Sequence, residues 1–268
     1  MFPTPYAELN DVLQVLVEGI QEILGATFLG FYLQGSFAVG DFDTDSDVDF
    51  IVALNEDLSE AQISALQAFH KRIYHLECAW AQHLEGSYFP KEVLRDYTQR
   101  DKPLWYLDHG SRHLIESTHC NMVVVRWVVR EYGITLAGAP PVTLIDPIPV
   151  SALREEILEA MRQWGREIIA DSECIDSRFY QAFATLNYCR MLHDLHRGHP
   201  GSKRAGAEWV KATLAPQYTD LIDRAWAGRY DPALSSRQPA DSIDLAKTVE
   251  FVRYILAESE RFEAGERL

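Results

Sequence analysis

The stretch that decides the fold is Phe28 to Leu54, FLGFYLQGSFAVGDFDTDSDVDFIVAL. An apolar run, Phe28 to Leu33, leads into Gly35-Ser36. Eleven residues after Ser36 stand Asp47 and Asp49, at the head of a second apolar run from Val48 to Leu54. In a strand, residues i and i+2 point to the same face, so the two carboxylates project side by side. They repel each other, and strand packing gives no reason for the pair. A divalent cation such as Mg²⁺ does, because it takes hard oxygen ligands and is usually held by one or two carboxylates together with substrate phosphates. Gly35 lets the backbone approach a phosphate closely, and Ser36 offers it an N–H and a hydroxyl. Ser46, just before Asp47, is a second hydroxyl of the same kind. The five aspartates between positions 41 and 49 also allow a Ca²⁺-type loop. The Gly-then-distal-Glu pattern of an EF-hand is missing, however, and a strand-like run follows where that motif has a helix.

Gly-Ser followed by Asp-x-Asp at this spacing resembles the nucleotidyltransferase superfamily of the DNA polymerase β type. Within it, the chain most resembles the aminoglycoside (streptomycin/spectinomycin-type) adenylyltransferases, over most of its length. The resemblance implies ATP and Mg²⁺ as cofactors and transfer of AMP to a hydroxyl of a small molecule. An aminoglycoside or aminocyclitol antibiotic is the leading acceptor class. Asp47 and Asp49 take the part of metal ligands, and Gly35, Ser36 and Ser46 that of nucleotide contacts. A nucleotidyltransferase that modifies a protein or RNA, as antitoxin-like members do, is the rival reading.

Bulk composition bears on these alternatives. With 268 residues, 47% apolar, the chain can bury a full core as one large or two modest domains. Forty acidic against 25 basic residues give a formal charge of −15. That argues against a nucleic-acid partner, since phosphate backbones reward basic surface. It suits a cationic small molecule, whose approach an acidic cleft favours. No apolar run approaches the ~18 residues that cross a bilayer, and the N-terminal MFPTPYAELNDVL lacks the regions of a signal peptide. The expected location is the cytoplasm, with no membrane partner, and a monomer suffices. Cys78, Cys120, Cys174 and Cys189 are scattered and lack zinc-type spacing, so they are expected to be reduced core thiols.

Residues 5–25 carry a helical apolar stripe ending at Gly25, and Leu58 to Tyr74 form a second helix opened by Ser59-Glu60. Cys78 to Phe89 reads as extended, Lys91 to Tyr97 as a short helix, the stretch to His119 as polar, and Met122 to Glu131 as an apolar helix. Gly138 to Pro149 holds four of the twelve prolines and reads as a linker. Beyond it the helices expected are Ser151–Ala170, Arg178–Leu195, Lys203–Leu214, Tyr218–Ala227 and Ser242–Phe262. The fold class is therefore an α/β (α+β) nucleotidyltransferase domain with a small mixed sheet, residues 1–142. An α-helical bundle, residues 150–268, follows it.

A third carboxylate is expected on a neighbouring strand, and HLECAWAQHLEGSYF offers Glu77 and Glu85. Being eight apart, they share parity and would face the same side. Glu85 is favoured, because Leu84 to Phe89 reads as a compact strand and its distance from Asp49 fits the related adenylyltransferases. The resemblance gives that glutamate a metal ligand's place and a general-base role toward the acceptor hydroxyl. In the helical part, an Arg within the long helix, a Gly and then a Lys ahead of a Trp match the family's pattern. They fall on Arg190 and Lys203, counter-charges to a triphosphate, with the helical domain closing over ATP. Asn121 and Tyr230 are further nucleotide-contact candidates. HDLHRGH, at 193–199, suggests a metal, but His at i, i+3 and i+6 drifts around a helix, and its Gly-His-Pro end reads as a C-cap. The chain departs from the streptomycin-modifying pattern at two places. Ser111/Arg112 stand where a Trp is expected, and Tyr180 stands near an expected acidic residue. Both departures bear on the acceptor, not on the transfer chemistry.

Overall fold

The computed structural model describes residues 3–214, 216–229 and 232–265. They form two compact units, residues 1–148 and 149–268. The first opens with α1 (Ala7–Leu24), whose apolar stripe is buried and whose end is capped by Gly25 at φ +51°. The strands are β1 (Phe28–Leu33), β2 (Val48–Leu54), β3 (Leu84–Pro90), β4 (Leu104–Leu107), β5 (Leu114–Ser117) and β6 (Ile134–Gly138). Between them lie α2 (Gly35–Val39), α3 (Glu60–Tyr74), α4 (Lys91–Arg95) and α5 (Val123–Tyr132). Ser59 and Gln62 close a reciprocal capping box on α3.

The six strands form one mixed sheet in the order β5-β4-β3-β2-β1-β6. Only the β2–β3 pair is parallel among the described strands; every other neighbour is antiparallel. Both faces of β2 are covered, which explains why it reads as a nearly unbroken apolar run. Phe31, Leu33, Phe50, Val52 and Tyr88 pack on one side with Leu13 and Leu16 of α1 and Leu66 and Phe69 of α3. Tyr32, Ile51, Ala53 and Phe89 pack on the other with Val93, Leu94 and Val129. Asp49 and Glu85 share the parity of Ile51 and Phe89. They therefore extend this second face beyond the end of its apolar layer.

Four expectations change here. Residues 79–82 coil into a 3-10 turn, so the strand begins at Leu84 and not at Cys78. The stretch read as polar up to His119 contains β4 and β5, two strands of four residues each, too short for a period-two pattern to emerge. Gly133 to Gly138 contributes the edge strand β6. Its Gly138, at φ +88°, lies where a Cβ would meet the Leu29 carbonyl oxygen at 2.1 Å. The cysteines are all free, but Cys174 is exposed, so not all are core thiols.

The second unit is helical: α6 (Val150–Ala170), α7 (Arg178–Arg197), α8 (Lys203–Thr213), α9 (Thr219–Gly228), α10 (Pro232–Ser235) and α11 (Ser242–Glu263). Its centre is α7, which packs against α6, α8, α9 and α11. Gly206 permits the close α7–α8 approach, since a Cβ there would lie 2.6 Å from the Arg190 Cα. Inside, Gln181 donates to Thr248 at 2.7 Å, and the Thr185 hydroxyl bonds the Gln181 carbonyl at 3.0 Å. Among the described residues, no helix is long and apolar enough to cross a membrane.

Candidate active site

The parallel register places Asp49 directly opposite Glu85 on adjacent strands. Asp47 precedes β2 by one residue and shares the parity of Asp49, so three carboxylates gather at one end of the β2–β3 pair. Burial pushes the Glu85 carboxyl above the ordinary carboxylate range, and the charge of Asp47 adds to the rise. The Tyr106 hydroxyl opposes it, lying 2.7 Å from Glu85 Oε1 and 3.0 Å from Asp108 Oδ1. Glu77, the other carboxylate of matching parity, is exposed in the turn after α3 and outside the sheet.

Gly35 begins the one-turn helix α2 at φ +59°, a backbone state that favours glycine. A Cβ at this position would lie 2.0 Å from Asp49 Oδ2, so the carboxylate rests directly against the bare Cα. The Gln34 N–H donates to the Asp49 carbonyl at 2.9 Å, and the Gln34 side chain accepts the Gly35 N–H at 3.0 Å. The adjacent Ser36 hydroxyl is buried with no hydrogen-bond partner, an arrangement that costs free energy unless a ligand supplies the partner. Ser46 is engaged within its own loop, where its hydroxyl oxygen accepts the Asp43 N–H at 2.9 Å.

Several residues around these carboxylates were not among the site candidates read from the sequence. Tyr106 and Asp108 belong to β4 and its end, hidden within a segment read as polar. His109 Nε2 lies 3.1 Å from Asp47 Oδ1 without hydrogen-bond geometry. His83 lies just ahead of β3, and its ring is held below the usual histidine range by burial and by the neighbouring His109. Near Glu85 Oε1 stand the Cys120 Sγ at 3.8 Å and His119 Nε2 at 4.0 Å. Burial, reinforced by Glu85, pushes the Cys120 thiol far up, so it stays protonated.

The remaining candidates are distributed differently. Asn121 is buried and committed to the fold: it donates to the Gln99 and Lys102 carbonyls at 2.8 and 2.6 Å, and its oxygen accepts from Arg126. Arg126 is fully buried and also donates to the Val93 carbonyl at 2.9 Å, tying α5 to α4. Arg190 and Lys203 belong to the second unit. Arg190 is half-buried in mid-α7; Lys203 opens α8 with its Nζ 4.7 Å from the Phe183 ring centre. Tyr230 lies outside the described residues. Arg112 stacks on Tyr74 at 4.7 Å, and Tyr180 is exposed on α7. The HDLHRGH histidines form no metal-ligand group among the described residues. Gly198 caps α7 at φ +74°, as its Gly-His-Pro ending suggested.

Known proteins match both parts of this chain. A family model described as nucleotidyltransferase domain matches residues 16–98, and one described as aminoglycoside adenylyltransferase, C-terminal domain, matches residues 143–258. Both parts of the chain thus resemble the aminoglycoside adenylyltransferases. An aminoglycoside (3'') (9) adenylyltransferase of Escherichia coli is 23% identical over 94% of this chain and 95% of its own length. The Shigella flexneri protein of the same name is 24% identical over the same shares. A spectinomycin adenyltransferase of Enterococcus faecialis, solved with ATP and spectinomycin, has the same fold. Its TM-score is 0.68 at 13% identity, over 92% of this chain and 98% of that one. This chain is thus a nucleotidyltransferase enzyme with the two-part architecture read from its sequence. The rival reading, a protein or RNA target, gains nothing from these relatives.

Proposed function

We propose that the enzyme transfers AMP from ATP to a hydroxyl of an aminoglycoside or aminocyclitol, with Mg²⁺ held by Asp47, Asp49 and Glu85. The observation that carries this reading is the Asp49–Glu85 register, with Asp47 beside it and a buried Ser36 hydroxyl without a partner next to Gly35. Three carboxylates form a donor set for a hard divalent cation. The bare Gly35 and the Ser36 hydroxyl suit a phosphate oxygen, so the residues fit the group. Bound there, Mg²⁺ would offset negative charge on the phosphates during in-line displacement.

The chain's own residues do the rest. Ser36 donates to a phosphate oxygen, and Gly35 lets the backbone close on it. Glu85 takes the proton of the acceptor hydroxyl as that oxygen attacks the α-phosphorus and pyrophosphate leaves. In the protein without metal, burial and Asp47 raise the basicity of Glu85. Tyr106 fixes one Glu85 oxygen, leaving the other to act. Arg190 and Lys203 keep the role given by the resemblance, as counter-charges to the triphosphate. Ser46 retains a nucleotide contact in this reading once its loop bond to Asp43 is exchanged. Tyr230 is carried on the resemblance alone. For Asn121, whose amide is already committed, a role in shaping the loop is preferred to direct contact.

The acceptor class is inherited from the relatives' names and is compatible with the charge of −15. The test is pyrophosphate release with ATP, Mg²⁺ and a panel including streptomycin and spectinomycin. One acceptor should support turnover. Its kcat/KM should climb with pH as Glu85 ionises, because the base must carry its charge. Glu85→Gln should lower kcat by about 10²–10⁴-fold and remove that limb. Turnover by Glu85→Gln at the wild-type rate would sink the assignment.

A further inference from the structure

We propose that Asp47, His83 and His109 form a binding site for a borderline divalent cation of the Zn²⁺ class, and that its occupation withdraws Asp47 from Mg²⁺–ATP. The second half rests on the function proposed above; the first half stands without it.

The three residues converge through sheet topology. Asp47 immediately precedes β2, and His83 immediately precedes β3, which runs parallel to it. The His83 carbonyl accepts the Val48 N–H at 2.8 Å, so the two strand entrances are locked side by side. β4 is antiparallel to β3, and its exit, where His109 lies, returns to the same edge. The three side chains come from three adjacent strands and are separated by at least 26 residues in sequence.

Their donor atoms lie within 4.8 Å of one another. His109 Nε2 and Asp47 Oδ1 are 3.1 Å apart. Two ligands held about 2.0 Å from a tetrahedral ion stand about 3.3 Å apart, so this pair already has a chelating separation. It lacks hydrogen-bond geometry, and His83 Nδ1 is buried without a hydrogen-bond partner. The rings of His83 and His109 sit edge to face, 5.4 Å between centres.

The ligand chemistry selects the ion. Mg²⁺ and Ca²⁺ take oxygen donors, whereas two imidazoles and one carboxylate suit Zn²⁺ and its neighbours. Three protein ligands leave a fourth position for water. Because Asp47 belongs to both donor sets, an ion drawn toward the two histidines competes for a carboxylate that Mg²⁺–ATP needs.

The test uses the full chain without nucleotide. Co²⁺ titration is read by visible ligand-field absorption, and Zn²⁺ affinity by competition with a chromogenic chelator. His83→Gln and His109→Gln should each weaken Zn²⁺ by about tenfold or more, while Cys120→Ser leaves affinity unchanged. Thermal melts without metal establish that each variant is folded. Wild-type affinity in both histidine variants overturns the site, as does loss confined to Cys120→Ser, which would move the ion to the Glu85–His119–Cys120 group. In turnover assays, Zn²⁺ should inhibit wild type, and His109→Gln should raise the inhibitory concentration about tenfold. If Zn²⁺ binds through the histidines yet leaves Mg²⁺-dependent turnover unchanged, the competition is overturned and Asp47 loses support as a Mg²⁺ ligand. If Zn²⁺ fails to bind while Asp47→Asn still abolishes turnover, the site fails and the proposed function stands.

Discussion

The two ends of the β2–β3 pair contrast sharply. At the far end, Ile51, Val52, Ala53, Tyr88 and Phe89 are sealed between α1 and α3 on one face and α4 and α5 on the other. At the near end the same strands carry Asp49 and Glu85, with Asp47 just ahead and an unpartnered Ser36 hydroxyl beside them. One end maximises apolar burial, about 25 cal/mol per Å²; the other holds like charges together in a half-buried place. The packed end supplies stability that the charged end lacks. Electrostatic strain gathered at an end served by rigid strands is the pattern expected of preorganised catalysis.

The comparison can be broken at either end. Asp49→Asn should lower turnover at least about 10³-fold, or about 4 kcal/mol, the scale of lost metal-linked charge stabilisation. Its melting temperature should not fall, since a repelling charge is removed. A sensitive pyrophosphate assay beside a thermal melt checks both. Phe89→Ala should do the reverse, costing about 3 kcal/mol or more of stability by chemical denaturation. The variant loses both the apolar layer and the ring 5.3 Å beneath the Arg126 guanidinium. Activity per folded molecule should stay close to wild type.

Two glycines sharpen the same contrast. Gly35→Ala places a methyl on Asp49 and adds left-handed backbone strain, so stability should fall by about 2 kcal/mol and turnover with it. Gly40, at φ +75°, has nothing within 4 Å of a Cβ. Gly40→Ala should therefore cost only about 1 kcal/mol and leave turnover intact. Equal turnover in the two variants would mean that the Asp49 contact is unimportant. The smallest effect concerns Glu85 and stability. Its folded pKa lies above its unfolded value, so its contribution is most favourable below the ordinary carboxylate range and declines as pH rises through the folded pKa. Glu85→Gln should raise the melting temperature modestly at neutral pH and not at pH 4; no difference between the two would contradict the burial assigned to Glu85.

Much of this was legible in the sequence, for identifiable reasons. Long apolar stripes placed α1, α3 and α5 to α9 and α11 within a few residues, and Ser59 and Gly25 marked real caps. The Asp-x-Asp parity placed two carboxylates on one face before any partner strand was known. Parity could not separate Glu85 from Glu77, because the two are eight apart; the 3-10 turn at 79–82, which takes Glu77 out of the strand, separates them. Strand β4 hid behind Pro103 and polar neighbours, and with it Tyr106, Asp108 and His109. Those residues reach the site only through antiparallel pairing, which no local pattern encodes. Asn121, a nucleotide-contact candidate in the sequence, has its side-chain oxygen engaged by Arg126 in the structure.

The one parallel pairing in the sheet has a consequence for how the molecule is assembled. Every other neighbouring pair is antiparallel, but β2 reaches β3 only through the α3 crossover, and Asp49 meets Glu85 across 36 residues of chain. Long-range closure of this kind is slow and costs loop entropy before contacts reward it. The β1–β2 hairpin can form with Gly35 and Asp49 already in register while the third carboxylate is still absent. The three carboxylates therefore come together at the closing of the crossover, and a chain stalled before that step holds two of its six strands paired and an incomplete carboxylate set.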